Sequence, residues 1–263
     1  MLRWLSTILG AVCFVATFPA HAGARLSVEG PRFVLTTDDG KRLTSPDLVG
    51  AVLEMSDPEG RPVTARIDRV EPASERPTTL LHYISAKRSD GSFGPICPPD
   101  AKGRRAALPI AGHWDDAGHY VRDPNRWFLS CTLGSQAKCV VWGYDPWSPG
   151  PLGEDLSLWY QACQNLVRAA YDGRGVGYTR NGTSIDVWDT LGIQKPEPGP
   201  LASYTFEAGW GPTGAVCVAR TRWRELLPLA VLLESAPRLR ASPCDISEAR
   251  RRGALLFNRS ETN

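Results

Sequence analysis

Six cysteines, Cys97, Cys131, Cys139, Cys163, Cys217 and Cys244, follow an N-terminal stretch built like an export leader, and that combination limits this chain more than anything else in it. Within Met1 to Ala22, Arg3 gives the positive start, Leu5 to Phe18 the apolar run, and Ala20-His21-Ala22 a small-x-small cleavage site. Cleavage would leave a mature chain beginning near Gly23 and would discard Cys13 with the leader. The remaining even number of thiols would meet an oxidising compartment, where thiols pair, in a connectivity that spacing alone leaves open. The competing reading is an uncleaved anchor, but the run from Leu5 to Phe18 is shorter than the roughly 20 residues that cross hydrocarbon. Further on, Leu226 to Leu233 is interrupted by Pro228 and flanked by charge. The mature protein is expected to be soluble, without a transmembrane segment, and exported to the periplasm or the medium.

A mature chain of this size is able to bury on the order of 70% of its unfolded surface, so bridges supplement a core here instead of replacing one. Lys plus Arg number 30 against 28 Asp plus Glu, a balance that leaves no concentrated basic face for a phosphate backbone. Arg104-Arg105 and Arg250-Arg251-Arg252 read as solvated faces or helix ends. No nucleic-acid partner and no cofactor is implied.

Along the chain, Arg25 to Glu71 is strand-like. Ala51, Leu53 and Met55 alternate with more polar residues, as do Val63, Ala65 and Ile67, and Asp57-Pro58-Glu59-Gly60 between them predicts a hairpin turn. The polar, proline-bearing stretch Glu71 to Thr79 suits a linker or surface loop, dividing a β-rich region over 23–75 from a second region over 80–263. Further strands are expected at Leu80 to Ala86, Trp127 to Thr132 and Cys139 to Tyr144. Cys131 and Cys139 would then face each other across a hairpin, though strand register could equally send them to other partners.

Leu156, Trp159, Cys163, Leu166 and Ala170 recur at helical spacing and predict a helix over Asp155 to Tyr171, capped by Asp155 and ended by Gly173. Cys163 lies on its apolar stripe, so its bridge is expected to fasten this helix to a sheet. Asn181-Gly182 predicts a tight hairpin joining Tyr178-Thr179 to Ile185 to Trp188. A second hairpin is expected around Gly211-Pro212-Thr213-Gly214, and a second helix over Glu225 to Ser235 with Pro228 in its first turn. The fold class is α+β: antiparallel hairpins with two or three helices, stapled by disulfides.

Three ordered stretches give the chain a family resemblance. They are Cys131 to Trp147 (CTLGSQAKCVVWGYDPW), Gln161 to Gln194 (QACQNLVRAAYDGRGVGYTRNGTSIDVWDTLGIQ) and Phe206 to Val218 (FEAGWGPTGAVCV). Together they resemble the ADYC domain, a family of exported bacterial proteins named for an Ala-Asp-Tyr-Cys motif. This chain departs from the motif itself, reading Ala169-Ala170-Tyr171-Asp172. If relatives bridge the motif cysteine, its partner position should be vacant too, and Ala236 ahead of Pro237-Arg238-Leu239 is the candidate. A motif without its thiol supplies no nucleophile. The resemblance implies a fold and an address and carries no activity across. In a bacterial export setting, the acceptor-like sequences Asn181-Gly182-Thr183 and Asn258-Arg259-Ser260 should stay unmodified.

Two clusters carry candidate chemistry. His113, Asp115 and His119 lie within seven residues and offer imidazoles and a carboxylate for Zn²⁺ or acid-base work, yet Gly118 and the six-residue histidine spacing fit a polar turn better than a ligand-bearing helix. Asp186 and Asp189 flank Trp188 near Arg168, but their spacing sends them to opposite faces of a strand, and such carboxylates commonly cap turns or pair with arginine. There is no Gly-x-Ser-x-Gly elbow and no phosphate loop leading a strand into a helix. The favoured reading is a non-enzymatic binding or envelope-associated module, with no catalytic, metal or cofactor residues. The alternative is a secreted hydrolase using the His/Asp groups. Three bridges predict that intact mass rises by about six units on reduction; a smaller gain in electrospray mass spectra of the exported protein would reveal free thiols.

Overall fold

The computed structural model describes residues 24–57, 59–115, 118–199, 203–241 and 243–261. The expected leader, Met1 to Ala22, lies outside the described residues. Strands β1 (Ala24–Glu29), β2 (Arg32–Thr37) and β3 (Arg42–Thr44) form an antiparallel three-stranded sheet. A larger antiparallel sheet follows, built from β4 (Val52–Ser56), β5 (Pro62–Pro72), β6 (Leu80–Lys87), β7 (Phe93–Pro95), β8 (Ala107–Ala111) and, later in the chain, Trp127–Cys131. The expected 57–60 turn joins β4 to β5, with the Gly60 N–H donating to the Asp57 carbonyl at 2.9 Å. Between β8 and that last strand, β9 (His113–Trp114) and β10 (Tyr120–Val121) make a small ribbon, so Trp127–Cys131 is β11 and the order is β11-β8-β6-β5-β4, with β7 on β6.

Helices α1 (Ser135–Val141) and α2 (Leu156–Arg168) come next, then β12 (Ile185–Asp189), β13 (Tyr204–Gly211), β14 (Gly214–Val218), α3 (Leu229–Ser235), α4 (Ile246–Arg251) and β15 (Leu256–Glu261). The second large sheet has the order β12-β15-β13-β14, all antiparallel, so the C-terminal strand fills its centre. The main core runs from Leu108 and Ile110 of β8, through Val140, Tyr160, Cys163 and Leu166 of the helices, to Trp210 and Leu256 of the second sheet. The two helices are thereby shared by both sheets. A second core gathers Phe33, Ala65, Ile67 and Ile84, and a third places α4 over Phe257 and Cys217.

All six cysteines of the described residues are paired, as Cys97–Cys131, Cys139–Cys163 and Cys217–Cys244, with Cα separations of 5.5, 5.9 and 5.9 Å. Several local expectations are corrected. Cys139 lies on helix α1 and not on a strand: Ala137, Cys139, Val140 and Val141 are all buried, and a short apolar run serves a buried helix as well as a strand. Cys131 and Cys139 therefore do not bridge each other, and Cys163 ties α2 to α1, not to a sheet. Asp155 does cap α2, accepting the Ser157 N–H at 3.1 Å, but the helix ends at Arg168, three residues early, where the cap residue Ala169 turns left-handed with a φ of 52°. Gly173 serves a close approach instead, since a Cβ there would sit 2.2 Å from the Thr213 carbonyl oxygen.

The Asn181-Gly182 turn forms but joins no hairpin. Tyr178 N–H donates to the Arg168 carbonyl at the end of α2, and β12 pairs with β15, Val187 facing Asn258. Helix α3 starts only after Pro228, which stands at its N-cap in extended conformation, while the 211–214 hairpin forms as expected between β13 and β14.

The small N-terminal sheet is joined to the larger one by a buried polar contact. Ser45 Oγ accepts the Phe33 N–H at 2.8 Å and lies 2.7 Å from His82 Nε2 on β6, while the Phe33 ring meets His82 edge-on. Burial holds the His82 imidazole down at about 4, from an ordinary 6.5. The unfolded chain takes up a proton that the folded protein refuses, so this group's stabilisation is complete above pH 6.5 and erodes as pH falls toward 4. Urea unfolding should show stability falling by up to about 3 kcal/mol from this group across that window. His82→Gln should flatten that slope, and an unchanged slope would refute the assignment.

Candidate functional site

The sequence candidates are placed first in local structural roles. Asp115 Oδ1 accepts the His119 N–H at 2.8 Å and closes the β9–β10 turn. His119 Nδ1 lies 3.7 Å from Asp115, whereas His113 Nδ1 faces Asp123 at 3.8 Å, so the two imidazoles address different carboxylates. Asp186 accepts Arg259 Nε at 2.6 Å and the Glu197 N–H at 3.1 Å. Asp189 accepts the Tyr144 hydroxyl at 2.8 Å and organises the loop after β12 by accepting the Leu191, Ile193 and Gln194 N–H groups. Among the described residues, no group of three or more His, Cys, Asp or Glu side chains is arranged to hold a metal.

A buried ionic network, not singled out in the sequence, lies where α2 ends on the second sheet. Glu207 of β13 and Arg222 are 0% and 1% exposed and pair through both carboxylate oxygens at 3.0 Å. The Tyr171 hydroxyl donates to Glu207 Oε1 at 3.0 Å and accepts the Arg222 N–H at 2.7 Å. Asn258 and Ser260 of β15 donate to Glu207 Oε2 at 2.9 and 2.5 Å. Arg222 also donates to the Leu166 and Val167 carbonyls at 2.8 and 3.1 Å, placing a cation at the C-terminal end of α2, where the helix dipole favours it. Burial pushes the Glu207 carboxyl up, but the Arg222 charge and the donated hydrogen bonds outweigh it and hold it below its ordinary range. Tyr171 is driven well above the ordinary phenol value by burial and the Glu207 charge.

Tyr171 belongs to the degenerate Ala169-Ala170-Tyr171-Asp172 segment, so the motif's tyrosine is structural here. The next residue is strapped without sulfur: Arg238, two residues past Ala236, donates to the carbonyls of Asp172, Thr213 and Ala215 at 3.1, 3.1 and 2.7 Å. Asn258, one of the acceptor-like asparagines, is fully buried, with Trp210 Nε1 donating to it at 2.8 Å.

Arg222 also lines a groove of about 890 Å³, a size typical of small-ligand sites. Its walls are the 99–104 loop, the 132–142 corner from β11 into α1, the end of α2 and the 179–185 loop. Glu75 and Asp100 are matched by Lys102 and Arg104, with separations of 2.7 to 2.9 Å. Burial raises the Glu75 carboxyl, yet these two cations bring it down to about 2. Arg180 pairs with Glu225 at 2.8 Å and stacks on Trp223, and Arg222 is matched by Glu207.

Two lining cations remain without an ion-pair partner among the described residues, Lys138 and Arg168. Among the described residues, Arg168 donates to the Gly175 carbonyl. Lys138 is half-buried; burial and the nearby Arg222 charge lower its pKa, while Asp100 pulls the other way. Lys138 and Trp142, one helical turn apart, both line the groove, together with Val141. A legible signal existed: Lys138 and Trp142 fall in the first of the three family-like stretches, and Thr179-Arg180-Asn181-Gly182-Thr183 in the second.

These features define a disulfide-braced α+β domain whose helices and second sheet close on a buried Glu–Arg pair beneath an open, positively biased groove. The sequence profile of the ADYC domain matches residues 45–224, and the chain belongs to the ADYC domain family. β15 follows that span and completes the second sheet. No curated protein and no solved structure matches the chain.

Proposed function

We propose that this is an exported, non-enzymatic binding or envelope-associated module that works in the periplasm or the medium, with the groove beside Lys138 as its ligand face. The observation that carries this reading is the division of polar groups. The carboxylates best suited to catalysis, Asp186 and Asp189, are spent on loop amides, Arg259 and Tyr144, whereas the groove is lined by two cations, Lys138 and Arg168, that no carboxylate among the described residues pairs with. Export is supported by the leader-like Met1 to Ala22 and by the complete pairing of the six later thiols, which suits an oxidising compartment. No described helix is long and apolar enough to cross a membrane.

The reading is tested by assaying the purified, oxidised protein against chromogenic esters, phosphomonoesters and glycosides. No turnover above buffer is expected. Turnover that disappears in Asp189→Asn, or in a His113→Gln/His119→Gln double variant that still unfolds cooperatively, would replace the binding module with a hydrolase.

A further inference from the structure

The charges around the groove cancel in pairs except at two positions, and those two stand on the helices that Cys139–Cys163 ties together. Lys138 precedes Cys139 on α1, and Arg168 is the last residue of α2. The half-buried Lys138 ammonium feels Asp100 only at a distance, because that carboxylate is paired directly with Arg104, so a ligand that brings negative charge is favoured there. The two acidic side chains of the lining do not oppose this, because Lys102 and Arg104 already neutralise Glu75 and Asp100. Trp142, partly packed on the main core, also lines the groove one helical turn from Lys138, and the part of its indole left open is an apolar surface suited to the body of an organic ligand. Two unmatched cations in a concavity of about 890 Å³ fit a small anion, whereas a polyanionic chain calls for a row of free basic groups.

We propose that Lys138, Arg168 and Trp142 form a subsite for a small organic anion bearing a carboxylate or phosphate, with Lys138 holding the oxyanion, Arg168 adding charge at the end of α2 and the indole covering the adjoining apolar part. This inference rests on reading the domain as a binding module. It also gives Cys139–Cys163 a functional consequence, since that bridge fixes the helix bearing the ammonium against the helix bearing the guanidinium.

The test is an NMR titration of the oxidised protein at constant ionic strength with inorganic phosphate, acetate and benzoate in turn. The reporters are the Lys138 ε-methylene and the backbone amides of Trp142 and Gly143. Saturable shifts are expected with phosphate or with benzoate, and whichever saturates at lower concentration identifies the oxyanion; benzoate should bind at least about threefold more tightly than acetate through the indole. Lys138→Met should weaken binding about tenfold, Arg168→Gln about threefold, and Lys138→Arg should retain it. Shifts that grow linearly with every probe, or saturable shifts that Lys138→Met leaves unchanged, would overturn the subsite. An unsaturable titration without turnover in the hydrolase assays defeats the anion subsite alone, whereas turnover in those assays defeats the binding-module reading on which it rests.

Discussion

The Glu207–Arg222 pair is the constraint on which the second half of the molecule depends. Each ion loses nearly all its water, a cost of several kcal/mol that mutual attraction offsets only when the remaining hydrogen-bonding positions are filled as well. They are filled here by groups from separate segments. Glu207 on β13 accepts from Asn258 and Ser260 on β15 and from Tyr171 after α2, while Arg222 donates to the last carbonyls of α2. The pair thus fixes helix, sheet and the loop between them in one arrangement. It also gives a physical reason for the motif's tyrosine to persist where its acidic residue and thiol are displaced: Tyr171 bridges both members of the pair.

The disulfides do a different job. Cys97–Cys131 joins the segment after β7 to β11, Cys139–Cys163 joins two adjacent helices, and Cys217–Cys244 joins β14 to the segment leading into α4. Each closes a chain segment of 24 to 34 residues, a span for which restricting the unfolded chain contributes about 3 to 4 kcal/mol. None of them connects the two large sheets. That connection is made by the apolar faces of α1 and α2 and, at its second-sheet end, by the ion pair. Because Arg222 also reaches the groove, the candidate ligand face is built on the same fixed point, which matters for a site whose cations must be held without partners.

Much of the fold was legible because it is written locally. Alternating apolar residues around Asp57–Gly60 and the turn residues Gly211-Pro212-Thr213-Gly214 marked two real hairpins, Asp155 marked a real helix start, and the even count of cysteines from Cys97 onward matched three bridges. The failures lie where local signals are degenerate or overridden by distant partners. The run through Cys139, Val140 and Val141 reads equally as strand or buried helix. Asn181-Gly182 turns the chain, but β15, more than 60 residues on, claims the strand that follows. The site was the least legible part. Glu207 and Arg222 look like ordinary surface charges in sequence, since burial is a property of the assembled sheet, and Lys138 is distinguished only by what its neighbours leave unmatched in three dimensions.

The most direct measurement is urea unfolding of Glu207→Gln, which keeps the side chain's shape and removes its charge, leaving Arg222 buried without a counter-ion. A loss of about 3 to 5 kcal/mol is expected, with two-state unfolding and all three disulfides intact. A loss below about 1 kcal/mol would contradict the pair as the fixed point of the fold.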